Sequence, residues 1–221
     1  MQKAPVIAID GPSGSGKGTI ASRVAEALGF SLLDSGALYR VLGIACHQHK
    51  IDLSDPAAVA NLAESLDIQF GLSGEGSVWL DGEDVSLAIR SDLGSDMASQ
   101  LGAIEAAREA LFQRQLDFRK APGLVADGRD MGTTVFPDAT LKIFLTASLD
   151  ARAQRRYKQL IGKGIDAILP ALLRDLKERD RRDTERATSP LKPAEDAIVI
   201  DTTDLTIDQV VNQVLEHYPS A

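Results

Sequence analysis

Gly11-Pro-Ser-Gly-Ser-Gly-Lys17-Gly-Thr19 is the stretch that most narrows what this chain can fold into. It follows an apolar run at residues 6–10 and leads into ASRVAEAL, whose apolar positions recur at helical spacing. In that strand-to-helix setting, G-x-x-x-x-G-K lets successive backbone N–H groups turn toward one point, and the start of the helix adds partial positive charge there. Residues Gly11, Pro12, Ser13, Gly14, Ser15, Gly16, Lys17, Gly18 and Thr19 are therefore read as a cradle for the phosphates of ATP, with Lys17 reaching the β- and γ-phosphates. An incidental glycine-rich turn is the alternative, and the strand, the spacing and the lysine together speak against it.

One position departs from the usual pattern. Where a Ser or Thr normally follows the lysine and offers its hydroxyl to Mg²⁺, this chain has Gly18, with Thr19 one place later. The Mg²⁺ that accompanies ATP is then expected to rest on phosphates and waters, with Thr19 as the candidate side chain and no direct protein ligand fixed by the sequence. No N-K-x-D guanine-reading motif occurs, which argues against a GTPase.

Five short apolar runs, at 6–10, 32–34, 124–127, 141–145 and 197–201, are each bounded by turn residues and followed by a helix-period stretch. That is the pattern of strands covered on both faces, and it predicts a doubly wound α/β fold on a five-stranded parallel sheet. A final helix near residues 207–217 opens on a capping box, Thr206 with Gln209. Residues 67–89 break the rhythm: DIQF, GLSGEGS and VWLDGEDV read as an antiparallel insert whose Asp81-Gly82 is a plain turn. No repeat, low-complexity tract or linker divides the chain.

The formal charge of −8 argues against nucleic-acid binding as the main function, which needs a basic footprint. Charge is unevenly spread: residues 152–186 hold eight Arg and three Lys against six acidic residues. A solvated, salt-bridged helical face is one reading of that excess, and an anion-binding lid is the other. Cys46, the single cysteine, lies in an apolar helical stretch and is read as a buried, inert thiol. No run has the length of a membrane span and the first residues do not read as a signal peptide, so a cytoplasmic, monomeric protein without membrane partners is expected.

Three further stretches accompany the loop: Asp34-Ser-Gly-Ala-Leu-Tyr-Arg40; Asp127-Gly-Arg-Asp-Met-Gly132 running on to Val135-Phe-Pro137; and Lys177-Glu-Arg-Asp180 with Arg182-Asp183 and Arg186. With these four motifs in order, the chain resembles the bacterial cytidylate kinases, nucleoside monophosphate kinases of the P-loop class, over essentially its whole length. The resemblance implies transfer of a phosphoryl group from ATP to CMP or dCMP. It implies that Arg40, Arg129 and Arg186 hold the acceptor's phosphate, that Asp130 meets the cytosine amino group with Ser99 and Arg108 at the ring acceptors, and that Arg179 and Asp183 contact the ribose, with Ser35 nearby. Arg40, Arg129 and Arg186 could instead be surface ion-pair members, Asp130 a helix cap or turn residue, and Arg179 with Asp183 an ordinary i,i+4 ion pair. Mobile arginines covering the γ-phosphate are sought among Arg152, Arg155 and Arg156, and Gly162-Lys-Gly164 is read as the tip of a short helical lid over about 151–170, with a solvent-facing hairpin as the alternative. The expected division is a core of 1–34, 100–150 and 187–221, an acceptor region of 35–99 with its β insert, and the arginine-rich helical pair 151–186. An AMP- or UMP-specific kinase and a non-catalytic ATP-binding module are the competing readings.

Overall fold

The computed structural model describes residues 3–73, 76–162 and 164–219. In chain order the elements are β1 (Val6–Asp10), α1 (Lys17–Leu28), β2 (Ser31–Asp34), α2 (Ser35–Gln48), α3 (Pro56–Ser65), β3 (Ile68–Phe70), β4 (Val78–Leu80), β5 (Glu83–Asp84), α4 (Asp92–Leu101) and α5 (Glu105–Leu116). They continue with β6 (Leu124–Gly128), β7 (Leu141–Thr146), α6 (Leu149–Ile161), α7 (Leu169–Glu185), β8 (Ile198–Asp201) and α8 (Ile207–His217). A 3-10 turn spans Ala88–Arg90 and a π-helical turn spans Met131–Val135. These elements form two compact units, one of Met1–Asp34 with Asp117–Ala221, the other Ser35–Leu116.

The first unit is built on a five-stranded parallel sheet in the order β2-β6-β1-β7-β8, with helices on both sides. Every residue of β1 and β6 is buried, as continuous apolar runs in the middle of a parallel sheet should be. The two edge strands differ from the expectation of full cover: in β2, Ser31 and Leu32 are exposed, and in β8, Val199 and Asp201 are exposed, because an outer strand lacks a neighbour on one side. Ile7, Ile9, Val125, Ile143 and Leu145 of the sheet pack with Ile20 and Val24 of α1 and Val210, Val211 and Val214 of α8. Each such fully buried side chain contributes about 1.5–3 kcal/mol relative to exposure. The capping box of α8 forms as its sequence requires: Gln209 N donates to Thr206 Oγ1 at 3.3 Å, and Thr206 N to Gln209 Oε1 at 2.9 Å.

In the second unit α2 packs on α4 and α3 on α5. Gly43 permits the first contact, since a Cβ there would stand 2.6 Å from Met97 Cβ. Strands β3, β4 and β5 form the expected antiparallel insert, and Asp81-Gly82, with φ of 49° and 83°, makes the tight turn between β4 and β5. Gly74 and Glu75 of the glycine-rich turn lie outside the described residues. Residues 100–116, expected with the core, belong here instead, because α5 buries Ala107 and Leu111 while packing on α3. Cys46 is fully buried in α2, and burial raises its thiol pKa. Among the described residues no helix is long and apolar enough to cross a membrane.

Candidate active site

The loop between β1 and α1 stands at the C-terminal end of the sheet's central strand. Gly11 can be only glycine: its φ is 150°, and a Cβ would meet Leu145 O of the neighbouring strand at 2.1 Å. Gly16 precedes α1 in a left-handed conformation, with no side chain capping the helix, so the loop and the first turn present backbone N–H groups together. Lys17 is buried and its Nζ donates to Pro12 O at 3.0 Å, folded back over the loop, with Asp127 Oδ1 4.0 Å away. Burial, helped by the Arg129 guanidinium, pulls its pKa down to about 8 against the opposing pull of Asp127, Asp10 and Asp183.

Asp10, the last residue of β1, is a buried carboxylate that the sequence reading passed over. Its two oxygens accept from Met131 N and Gly132 N, each at 2.8 Å, and so bind the end of β1 to the turn that carries Arg129 and Asp130. Burial pushes its pKa up to about 7, with the two backbone N–H groups opposing that rise. Asp127 faces the loop as well, its Oδ2 3.4 Å from where a Gly18 Cβ would stand. Aspartate and hydroxyl oxygens are the right chemistry for Mg²⁺, but among the described residues no cluster of three or more His, Cys, Asp or Glu could cage a metal. Asp127 is the carboxylate that stands against the start of α1, and Thr19, in the first turn of that helix, is exposed.

Arg129, Asp130, Arg179, Asp183 and Arg186 all belong to this first unit. Arg129 Nε donates to Asp183 Oδ2 at 2.9 Å, and Arg186 Nη2 stands 3.8 Å from Asp130 Oδ1. Burial works against both charges of the Arg129–Asp183 pair, yet their mutual attraction outweighs it: the Arg129 pKa is raised and the Asp183 pKa is held below the usual carboxylate range. The spacing in α7 explains the grouping, because positions three and four apart share a helical face.

The three arginines of α6, the candidates for covering the γ-phosphate, are held differently. Arg152 is buried; its Nε donates to Ala147 O at 3.0 Å, one Nη donates to Ser13 O at 3.1 Å, and both Nη groups hold the Asp180 carboxylate at 3.0 and 2.6 Å. Arg155 donates to Thr202 O and, at 3.0 Å, to Thr202 Oγ1, while Thr202 Oγ1 donates to Ser15 O at 3.2 Å. Both arginines thus brace carbonyls of the phosphate loop, Arg152 at Ser13 O and Arg155 at Ser15 O, the latter at 3.5 Å and through Thr202. Arg156 is half-buried and donates to Gln159 Oε1 at 3.1 Å. Lys163, at the expected lid tip, lies outside the described residues; Gly162 caps α6 and Gly164 is left-handed. Asp180 belongs to the Lys177–Asp180 motif, which gives it no role of its own, whereas Asp10 and Thr202 carry no sequence signal beyond standing at or just after the end of a strand.

In the second unit, Ser35 opens α2 and is buried, Arg40 sits half-buried one turn later, and Arg108 of α5 is buried. Ser99 Oγ of α4 is shielded from solvent and has no hydrogen-bond partner among the described residues.

Comparison with known proteins gives this geometry a family. The profile described as Cytidylate kinase matches residues 7–220. The chain belongs to the cytidylate kinase family. A protein named cytidylate kinase from Cupriavidus necator is 59% identical over 96% of this chain and 95% of its own length. Another of that name from Stutzerimonas stutzeri is 56% identical over 97% and 95%. Among solved structures, an uncharacterized protein from Eubacterium ventriosum superimposes with a TM-score of 0.51 at 16% identity, covering 98% of each chain, a likeness of fold alone. The family match spans both units, so the glycine-lysine loop, the DGRDMG turn and the arginines of α7 lie within one matched length of this cytidylate kinase family member.

Proposed function

We propose that this chain transfers the γ-phosphoryl group of ATP to CMP and dCMP, yielding CDP or dCDP with ADP. The observation that carries this reading is the gathering, in one compact unit, of the phosphate loop and Lys17 with Arg129, Arg186, Asp130 and Asp183, in a chain of the cytidylate kinase family.

An acceptor phosphate is already anionic at neutral pH, so no side chain need remove a proton from the attacking oxygen. The task of these residues is alignment and charge stabilisation of an in-line transfer. Lys17 and the loop amides hold the donor; Lys17 exchanges Pro12 O for phosphate oxygens. Arg129, Arg186 and Arg40 hold the acceptor's phosphate, where a planar guanidinium suits two-point contact. Arg152 and Arg155 keep the loop carbonyls turned away from the phosphates, and Arg156, which donates to Gln159 of its own helix, is the α6 candidate for the γ-phosphate. Asp127 and Thr19 would hold Mg²⁺, which when bound supplies neutralising charge to the β- and γ-phosphates.

Cytosine presents an amino donor beside ring acceptors. Asp130 accepts from the amino group, and Ser99 and Arg108 donate to the ring. The shielded, unpartnered Ser99 hydroxyl supports this, since leaving such a group unsatisfied costs about 1–3 kcal/mol. Arg179 and Asp183, with Ser35, serve the ribose. A cytoplasmic location fits a reaction on free nucleotides.

ADP release measured with ATP, Mg²⁺ and each of CMP, dCMP, UMP and AMP tests the reading. Turnover is expected to be fastest with CMP and dCMP, and Asp130→Ala should cut the preference for CMP over UMP about tenfold or more. Turnover with AMP alone, or ATP binding without acceptor-dependent ADP release, would contradict the function; an unchanged preference in Asp130→Ala would remove that residue from base reading.

A further inference from the structure

Ser189 has a left-handed backbone, with φ of 48°, a region that residues with side chains seldom occupy. Among the described residues only Lys50 and Asp81 share this property outside glycine; Lys50 closes the turn after α2 and Asp81 belongs to a hairpin. Ser189 sits three residues beyond the last residue of the α7 cap, Arg186, and is followed by Pro190. Left-handed residues of this kind persist only where the surroundings fix them, and they gather at ligand-binding segments.

The surroundings here are specific. Ser189 O accepts from Arg186 Nε at 2.6 Å. Its Oγ accepts from Thr134 Oγ1 at 3.1 Å, within the π-helical turn that follows Asp130. Two residues on, Leu191 N donates to Asp183 O at 2.7 Å, and the Leu191 side chain is buried. The segment 186–191 is therefore fastened to α7 at one end, to the Asp130 turn in the middle, and to the core at the other. A guanidinium held at Nε has the direction of its terminal fork set, and that of Arg186 stands with Nη2 3.8 Å from Asp130 Oδ1.

We propose that Ser189 is a positioning residue for acceptor binding: its left-handed backbone aims a carbonyl at Arg186 Nε and fixes the guanidinium before the acceptor's phosphate arrives. The inference rests on the acceptor role given to Arg186 above. Arginine loses much rotamer freedom when it grips a ligand, and fixing it beforehand removes that cost from binding. Because the device is a backbone conformation, glycine should preserve it and a β-branched residue should not.

Steady-state kinetics of Ser189→Val, Ser189→Gly and Arg186→Ala decide the matter. Ser189→Val is expected to raise KM for CMP at least fivefold and KM for ATP less than twofold, while Ser189→Gly stays within twofold of the parent on both. An unchanged KM for CMP in Ser189→Val, a glycine variant as impaired as the valine one, or a rise of both KM values together overturns the proposal. Arg186→Ala separates the two levels: no rise in its KM for CMP overturns the acceptor role of Arg186 and this inference with it, whereas a rise there without one in Ser189→Val overturns the inference alone. A second readout leaves Ser189 intact: the Arg186 Nε–H signal in ligand-free protein, assigned by its loss in Arg186→Ala, should exchange slowly with solvent, and rapid exchange overturns the proposal whether or not the valine variant folds.

Discussion

At Lys17, burial lowers the ammonium pKa to about 8 and Arg129 adds to the fall. The free enzyme therefore loses its donor-phosphate cation as pH rises through about 8, whereas a bound triphosphate restores the charge. The account predicts that kcat/KM for ATP declines above pH 8 while kcat holds to higher pH, in rate profiles at saturating acceptor. For stability the sign is opposite: between about 8 and the ordinary 10.5 the unfolded chain binds more protons than the folded one, so stability rises with pH across that window. Lys17 was legible in the sequence because the chemistry of its loop is local. Asp10, Arg152 with Asp180, and Arg155 with Thr202 were not read in these roles, because their partners lie 121, 28 and 47 positions away. No short pattern encodes a bond of that span. The arginines of α6 show the same limit: their presence was plain, but which faced the loop as braces was settled only by packing.

At the scale of elements, strand boundaries in the first unit followed their apolar runs to within a residue or two, because a parallel sheet covered on both faces demands unbroken hydrophobicity in its central strands. Burial of the edges did not follow, since a run such as that of β8 is equally apolar whether it lies in the middle or at the rim. Helix caps were more local still. Removing the Thr206 hydroxyl takes away the acceptor for Gln209 N, and Thr206→Ala should cost about 1 kcal/mol in urea unfolding, with the denaturant slope unchanged. A loss near zero would mean that α8 is held by its apolar face alone.

For the whole molecule, division into units depends on which helices touch, and periodicity does not carry that information. Hence α5 was assigned to the core by sequence, although it packs on α3. Binding energy is likewise a property of the whole chain: a ligand that grips only the folded protein stabilises it by about 2.7 kcal/mol at a hundred times its Kd. For a chain of 221 residues that is a rise in Tm of roughly 5–10 °C. ATP should produce such a rise in thermal unfolding, and Lys17→Ala should lose most of it at the same nucleotide concentration; an equal rise in the variant would remove Lys17 from the donor site.

The most direct measurement follows the phosphorus atom itself. ATP labelled in its γ-phosphoryl group is incubated with the protein, Mg²⁺ and equimolar CMP, UMP and AMP, and the nucleotide products are separated. The label should pass chiefly into CDP, and Lys17→Ala should leave it in ATP. Label recovered mainly in ADP or UDP, or only as inorganic phosphate, would contradict the account.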